Sequence, residues 1–177
     1  SGRLGMVGHS GGAETTLYLS AAEPRILAAA PIDGLDDWVF RVGYRLFRDP
    51  EHFPVALLSF GGYREVVALS APRWFFSLTG DDDYIAGPTH VVQEVIADAA
   101  VAWQHLGAPD HILHQGFEGG HQISRVKREA VYSFFETALD APGLAGPEDG
   151  TLFPDEPSLH FSPPADNRTV LDVVQDL

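Results

Sequence analysis

The pentapeptide Gly8-His9-Ser10-Gly11-Gly12 fits the pattern G-x-S-x-G and stands between a short apolar run, Leu4 to Gly8, and a helix-forming stretch, Gly11 to Ala22. A strand that turns sharply into a helix strains the backbone at the corner and exposes the serine hydroxyl at the helix N-terminus. Gly8 and Gly12 are small enough to let strand and helix approach. The amide of Gly11 is placed to donate to an oxyanion that develops when Ser10 attacks a carbonyl. Serine is a poor nucleophile until a base takes its proton, so this chemistry requires a histidine and a carboxylate on later strand ends. Asp81, Asp82 and Asp83 follow a third apolar run, Trp74 to Leu78, and His121 follows a fourth, His111 to Phe117, behind Gly119-Gly120. Serine, acid, histidine is the chain order associated with this corner. The competing use of such a turn is to hold phosphate, but a Walker loop needs a lysine before Ser or Thr and a dinucleotide fingerprint needs G-x-G-x-x-G; neither is present.

The remaining polar candidates have plainer uses. An acidic triplet is also what a solvated loop or a loose cation site looks like. His9, in the variable position beside the serine, reads as a packing or substrate contact rather than as the base. His52, His90, His105, His111, His114 and His160 show no metal-ligand spacing, and two residues three apart in a strand, such as His111 and His114, point to opposite faces. No metal and no cofactor is assigned.

The elements that must position these groups alternate. Leu4 to Gly8 reads as a strand and Gly11 to Ala22 as a helix; Ile26 to Ile32, ended by Asp33-Gly34, and Trp74 to Leu78 read as buried parallel strands. Apolar positions recur at helical spacing over Thr89 to Leu106 and again over Val126 to Leu139, with Gly107 stopping the first. Strands alternating with helices point to a parallel α/β sheet. Between the second and third strands, residues 35–72 lack clean periodicity apart from a helical stretch at Tyr63 to Ser70, and they read as a cap-like insertion on the substrate side. Within it Trp38, Phe40, Tyr44, Phe47, Phe53 and Phe60 are candidates to line an acyl or sugar pocket, Trp38 foremost, against the plainer reading that they are core. Beyond Asp140 the composition turns to Pro, Gly, Asp and Glu, so the expected organisation is a catalytic unit over 1–140 and an extension or linker over 141–177.

Composition narrows the partners. Twenty-five acidic residues face 11 basic ones, of which Lys127 is the single lysine, and the net charge of -14 argues against nucleic acid and anionic lipid. A salty habitat is one source of such an acid excess. No run approaches the roughly 18 apolar residues of a membrane span. Cysteine is absent, so the redox compartment leaves no trace and localisation is unassigned.

Over residues 3–140 the chain resembles the α/β-hydrolase superfamily, through GHSGG, TGDDDYIAG and EGGHQIS. Within it, AAEPRILAAAPIDG and EVVALSAPRWFFSLTGDDD look most like dienelactone-hydrolase-type and acetyl-xylan-esterase-like members. The resemblance implies a partial α/β-hydrolase fold: about four parallel strands with flanking helices, the C-terminal half of the sheet, without its N-terminal strands or the loop that supplies a second oxyanion donor. It places the acid three residues after Gly80, at Asp83 with Asp82 in reserve, and the base at His121. The implied function is hydrolysis of a small carboxylic ester through Ser10, Asp83 and His121. The first strand would then carry an unpaired edge, to be met by a complementary N-terminal segment or by a contact between copies. Two rivals stand beside this reading: a non-catalytic hydrolase-like binding module, and a serine peptidase of the prolyl-oligopeptidase type on the same fold.

Overall fold

A computed structural model describes residues 2–37, 40, 59 and 61–148. The chain divides into two units, Ser1–Pro147 and Glu148–Leu177, and all the elements below belong to the first. They are β1 (Leu4–His9), α1 (Gly11–Ala22), β2 (Ile26–Ile32), α2 (Tyr63–Ala68), β3 (Trp74–Gly80), α3 (Thr89–His105), β4 (Ile112–Phe117), entered through a 3₁₀ turn at Pro109–His111, and α4 (Arg125–Ala138).

The four strands form one sheet in the order β1-β2-β3-β4, all parallel. Parallel neighbours need crossover connections, and helices supply them. Strand β2 is buried along almost its whole length, as an apolar run covered on both faces must be. Its pairing with β3 runs through Ala28–Trp74 and Ala29–Phe75 and resumes at Ile32–Leu78. The gap spans Pro31, which has no N–H to give to a ladder. Register brings His9 opposite Ile32, Ile32 opposite Leu78, and Gly80 opposite Phe117, so the carboxyl ends of all four strands meet along one edge.

Alternation divides the core in two. On one face Leu17, Ala29, Val67, Phe75, Val92 and Trp103 pack together between the sheet and α1, α2 and α3. On the other, Ala28, Ala30, Ile32, Phe76 and Leu78 meet Val131 and Phe134 of α4. Trp103 is fully buried, and its indole N–H donates to the Arg73 carbonyl at 2.8 Å. Leu35 and the α2 residues Tyr63, Val66 and Val67 belong to the first of these cores. The ends of the segment read as a cap-like insertion thus pack beneath the sheet rather than over the site, because Val66 and Val67 complete the apolar face of α3. Most of its middle, and all but the first residues of the 141–177 extension, lie outside the described residues.

Strand β4 also buries both ring nitrogens of His114. Burial lowers the pKa of this imidazole below its ordinary value. In the unfolded chain it takes a proton near pH 6.5, whereas in the folded protein it does so only at lower pH. Between those two values the unfolded state holds more protons, so this contribution to stability is intact above about pH 6.5 and is lost as the pH falls. Urea midpoints are therefore expected to drop from pH 7.5 to pH 5, and His114→Leu to flatten that dependence; an unchanged slope would refute the assignment.

Candidate active site

Ser10 occupies the corner between β1 and α1 with φ 57° and ψ -124°. A non-glycine residue with positive φ is strained, and it persists only where its surroundings dictate it. Here the Ser10 amide donates to Ile32 O at 3.0 Å, while its carbonyl accepts from Ala13 and Glu14 at 2.8 and 3.2 Å. Close packing completes the constraint. A Cβ on Gly8 would collide with the Gly12 carbonyl, and one on Gly34 would stand 2.7 Å from the Ser10 carbonyl oxygen. Gly12 differs from expectation, because a Cβ there meets nothing within 4 Å. The small residue that admits α1 against β2 is Gly34 and not Gly12. Gly11 is the first residue of α1, where the helix itself offers its amide no acceptor.

Asp83 and His121 meet. His121 Nδ1 donates to Asp83 Oδ2 at 2.8 Å, and Asp83 Oδ1 accepts the amides of Ile85 and Ala86 at 2.7 and 3.0 Å. Three donors on one buried carboxylate fix its orientation, and with it the tautomer of the imidazole. Asp82 is exposed and reaches the histidine loop through its backbone alone, its amide donating to Gly119 O at 3.0 Å. Gly80 lets that loop come close, since a Cβ there would strike the Gly119 and Gly120 carbonyls. His9, next to Ser10, lies with its ring centroid 4.6 Å from that of His121. The serine corner and the acid–histidine pair therefore share one end of the sheet. Trp38 lies outside the described residues.

Two buried charged residues beside this site escaped the sequence reading. Asp33, at the end of β2 and with φ 52°, accepts both of its oxygens' bonds from Lys127 Nζ, at 2.7 and 2.6 Å, and both residues are 1% exposed. Asp33 Oδ1 also accepts the Gly80 amide at 2.8 Å and Oδ2 the Gln122 amide at 3.2 Å. The signals were there: Asp33 closes its strand as Asp83's loop closes β3, and the chain's single lysine falls four residues before Val131 on the buried stripe of α4.

His9 Nε2 stands 3.3 Å from Asp33 Oδ2. Burial, together with the nearby His121 and Lys127, lowers the His9 pKa below its ordinary value against the opposing pull of Asp33. One ligand atom each from His9, Asp33 and His121 lie within 4.8 Å of one another, a grouping that could hold a metal ion. The Lys127 ammonium, however, already neutralises the Asp33 carboxylate, and a cation there would have to displace it or sit beside it.

No protein-family model and no curated protein sequence matches the chain. Solved structures do. The methylesterase BT1017 superposes with a TM-score of 0.58 at 23% identity over 75% of this chain and 29% of its own. A carbohydrate esterase family 15 glucuronoyl esterase from Caldicellulosiruptor kristjansonii gives 0.60 at 17% over 86% and 47%. A glucuronoyl esterase from Solibacter usitatus gives 0.64 at 16% over 76% and 42%. The chain thus spans less than half the length of each of these esterases. Four parallel strands with flanking helices, matched to part of each, identify the chain as carrying part of the α/β-hydrolase fold.

Proposed function

We propose that this chain carries the nucleophile, base and acid of a serine hydrolase acting on carboxylic esters. The observation that carries the reading is the 2.8 Å pair of His121 and Asp83 at the same sheet end as a serine strained at a strand-to-helix corner. Asp83 holds the proton on His121 Nδ1, which leaves Nε2 free to take the proton of Ser10 as its oxygen attacks the ester carbonyl. The Gly11 amide donates to the oxyanion; His121 then protonates the departing alcohol, leaving an acyl-enzyme. Water repeats the sequence and frees the acid. The fold's esterase neighbours favour an ester over a peptide bond and suggest the substrate panel: methyl esters and glucuronoyl esters beside short acyl esters.

The second oxyanion donor and the remaining substrate contacts belong, on this reading, to strands that pair along β1. Among the described strands β1 is an edge, with Leu4 46% and Val7 49% exposed. Between that edge and α4 runs an apolar cleft of about 250 Å³, lined by Val7, His9, Ile32, Ile123, Val131 and Tyr132. Apart from His9, Arg128 and Tyr132 its lining is apolar, and the cleft suits a packed segment of the same fold.

Reaction with a fluorophosphonate, read by mass spectrometry of the digested protein, tests the proposal. The expected result is a single adduct on Ser10, formed more slowly when an ester substrate is present in excess. A folded protein whose Ser10 reacts no faster than its other serines would favour the binding module.

A further inference from the structure

The Lys127–Asp33 pair lies outside the proton path of the proposed reaction, yet its bonds converge on the loop that presents His121. Besides both Asp33 oxygens, Lys127 Nζ donates to Gln122 O at 3.1 Å and approaches Gly120 O at 3.5 Å. The Gln122 amide in turn donates to Asp33. The residues on either side of His121 are thereby tied to one buried carboxylate, which is itself anchored to β3 through the Gly80 amide.

Charge burial makes this arrangement informative. A buried ion pair gives little net stability compared with apolar side chains of the same volume, which often do as well or better. Two apolar residues would fill the space between α4 and the ends of β2 and β3, but they could not hold the Gly120 and Gln122 carbonyls. We propose that the Lys127–Asp33 pair is the positioning element of the catalytic imidazole: it clamps the backbone on both sides of His121, so that the ring bonded to Asp83 is presented to Ser10. The inference rests on the hydrolase reading of Ser10 and His121. Asp33 and Lys127 make their side-chain hydrogen bonds to each other, to the Gly80 amide and to backbone beside His121, not to Ser10 or the His121 ring, so both act through the histidine loop.

The test uses two variants of the full chain. Lys127→Met strands a buried carboxylate and can fail to fold, so the deciding variant is the double Asp33→Asn, Lys127→Met, which removes both charges together. Two readouts are taken: the rate of fluorophosphonate capture at Ser10, and the low-field proton resonance of the His121 Nδ1–H bonded to Asp83. With the fold retained by circular dichroism, the double variant is expected to react about a hundredfold more slowly, the penalty for roughly 1 Å of misplacement, and to lose the low-field resonance. A folded double variant with wild-type capture and an intact resonance overturns the clamp, and so does a pair of variants that both fail to fold, which would assign the ion pair to stability. If wild-type Ser10 proves inert while the resonance is present and vanishes in the double variant, the hydrolase reading fails and the hold on His121 stands.

Discussion

On the proposed mechanism of ester hydrolysis, Ser10→Ala is expected to lower turnover by about six orders of magnitude, Asp83→Asn by about four, and Asp82→Asn by less than about threefold, in keeping with a surface change that leaves the site's hydrogen bonds intact. The contrast between the two aspartates carries the most information. Asn at position 83 keeps an oxygen for the amides of Ile85 and Ala86, which fill Oδ1 in the wild type. Its NH₂ group then faces His121 Nδ1, where the carboxylate accepted at 2.8 Å. The imidazole answers by turning Nδ1 into the acceptor and moving its proton to Nε2. A ring protonated there cannot receive the serine proton, so the geometry survives and the chemistry stops. Position 82 differs because its bond to Gly119 O comes from the backbone amide, which asparagine retains. Initial rates on an activated acyl ester for the three variants against wild type check the series. Equal losses at 82 and 83 would mean that charge in the loop matters and imidazole orientation does not.

Local pattern made much of this site legible. The limits of α1 and β2 read from sequence coincide with those observed, because Gly11 to Ala22 is bounded by the serine corner and Ile26 to Ile32 is an unbroken apolar run closed by Asp33-Gly34. The acidic triplet and His121 stand out because each follows a strand end with glycine that permits a loop, and the resemblance to α/β-hydrolases then selected Asp83 within the triplet. The Asp33–Lys127 pair could not be found that way. Its partners are 94 residues apart, and each alone has a bland explanation, a strand terminator and a helix lysine. Only the docking of α4 across β2 brings them together, and docking is a tertiary fact with no spacing rule. Gly34 was missed for the same reason: its need for a bare Cα is set by Ser10 and Ala13, neighbours in space from another element. Val66 and Val67 show the reverse: they fall on the helical stretch of a segment read as cap-like, and they pack in the core against α3.

The glycines around the nucleophile give the second large effect. Gly8→Ala puts a methyl group onto the Gly12 carbonyl and near Thr16 Oγ1, atoms that belong to the first turns of α1 and cannot move without carrying the helix. Overpacking of this kind costs about 3 kcal/mol where backbone must yield. The movement also unseats Ser10, whose positive φ depends on bonds to Ile32 O and from Ala13 and Glu14. Fluorophosphonate capture by Gly8→Ala is therefore expected to fall by roughly a hundredfold or more, the scale set by displacements near 1 Å. Gly12→Ala makes the complementary case. Its Cβ enters open space at the second position of α1, and alanine there reduces the freedom of the unfolded chain, so stability should hold or rise by about 0.5 kcal/mol. Urea denaturation and capture rates on the two variants decide it. If Gly12→Ala proved the more damaging, the close approach of β1 and α1 would not be what holds the serine in its strained conformation.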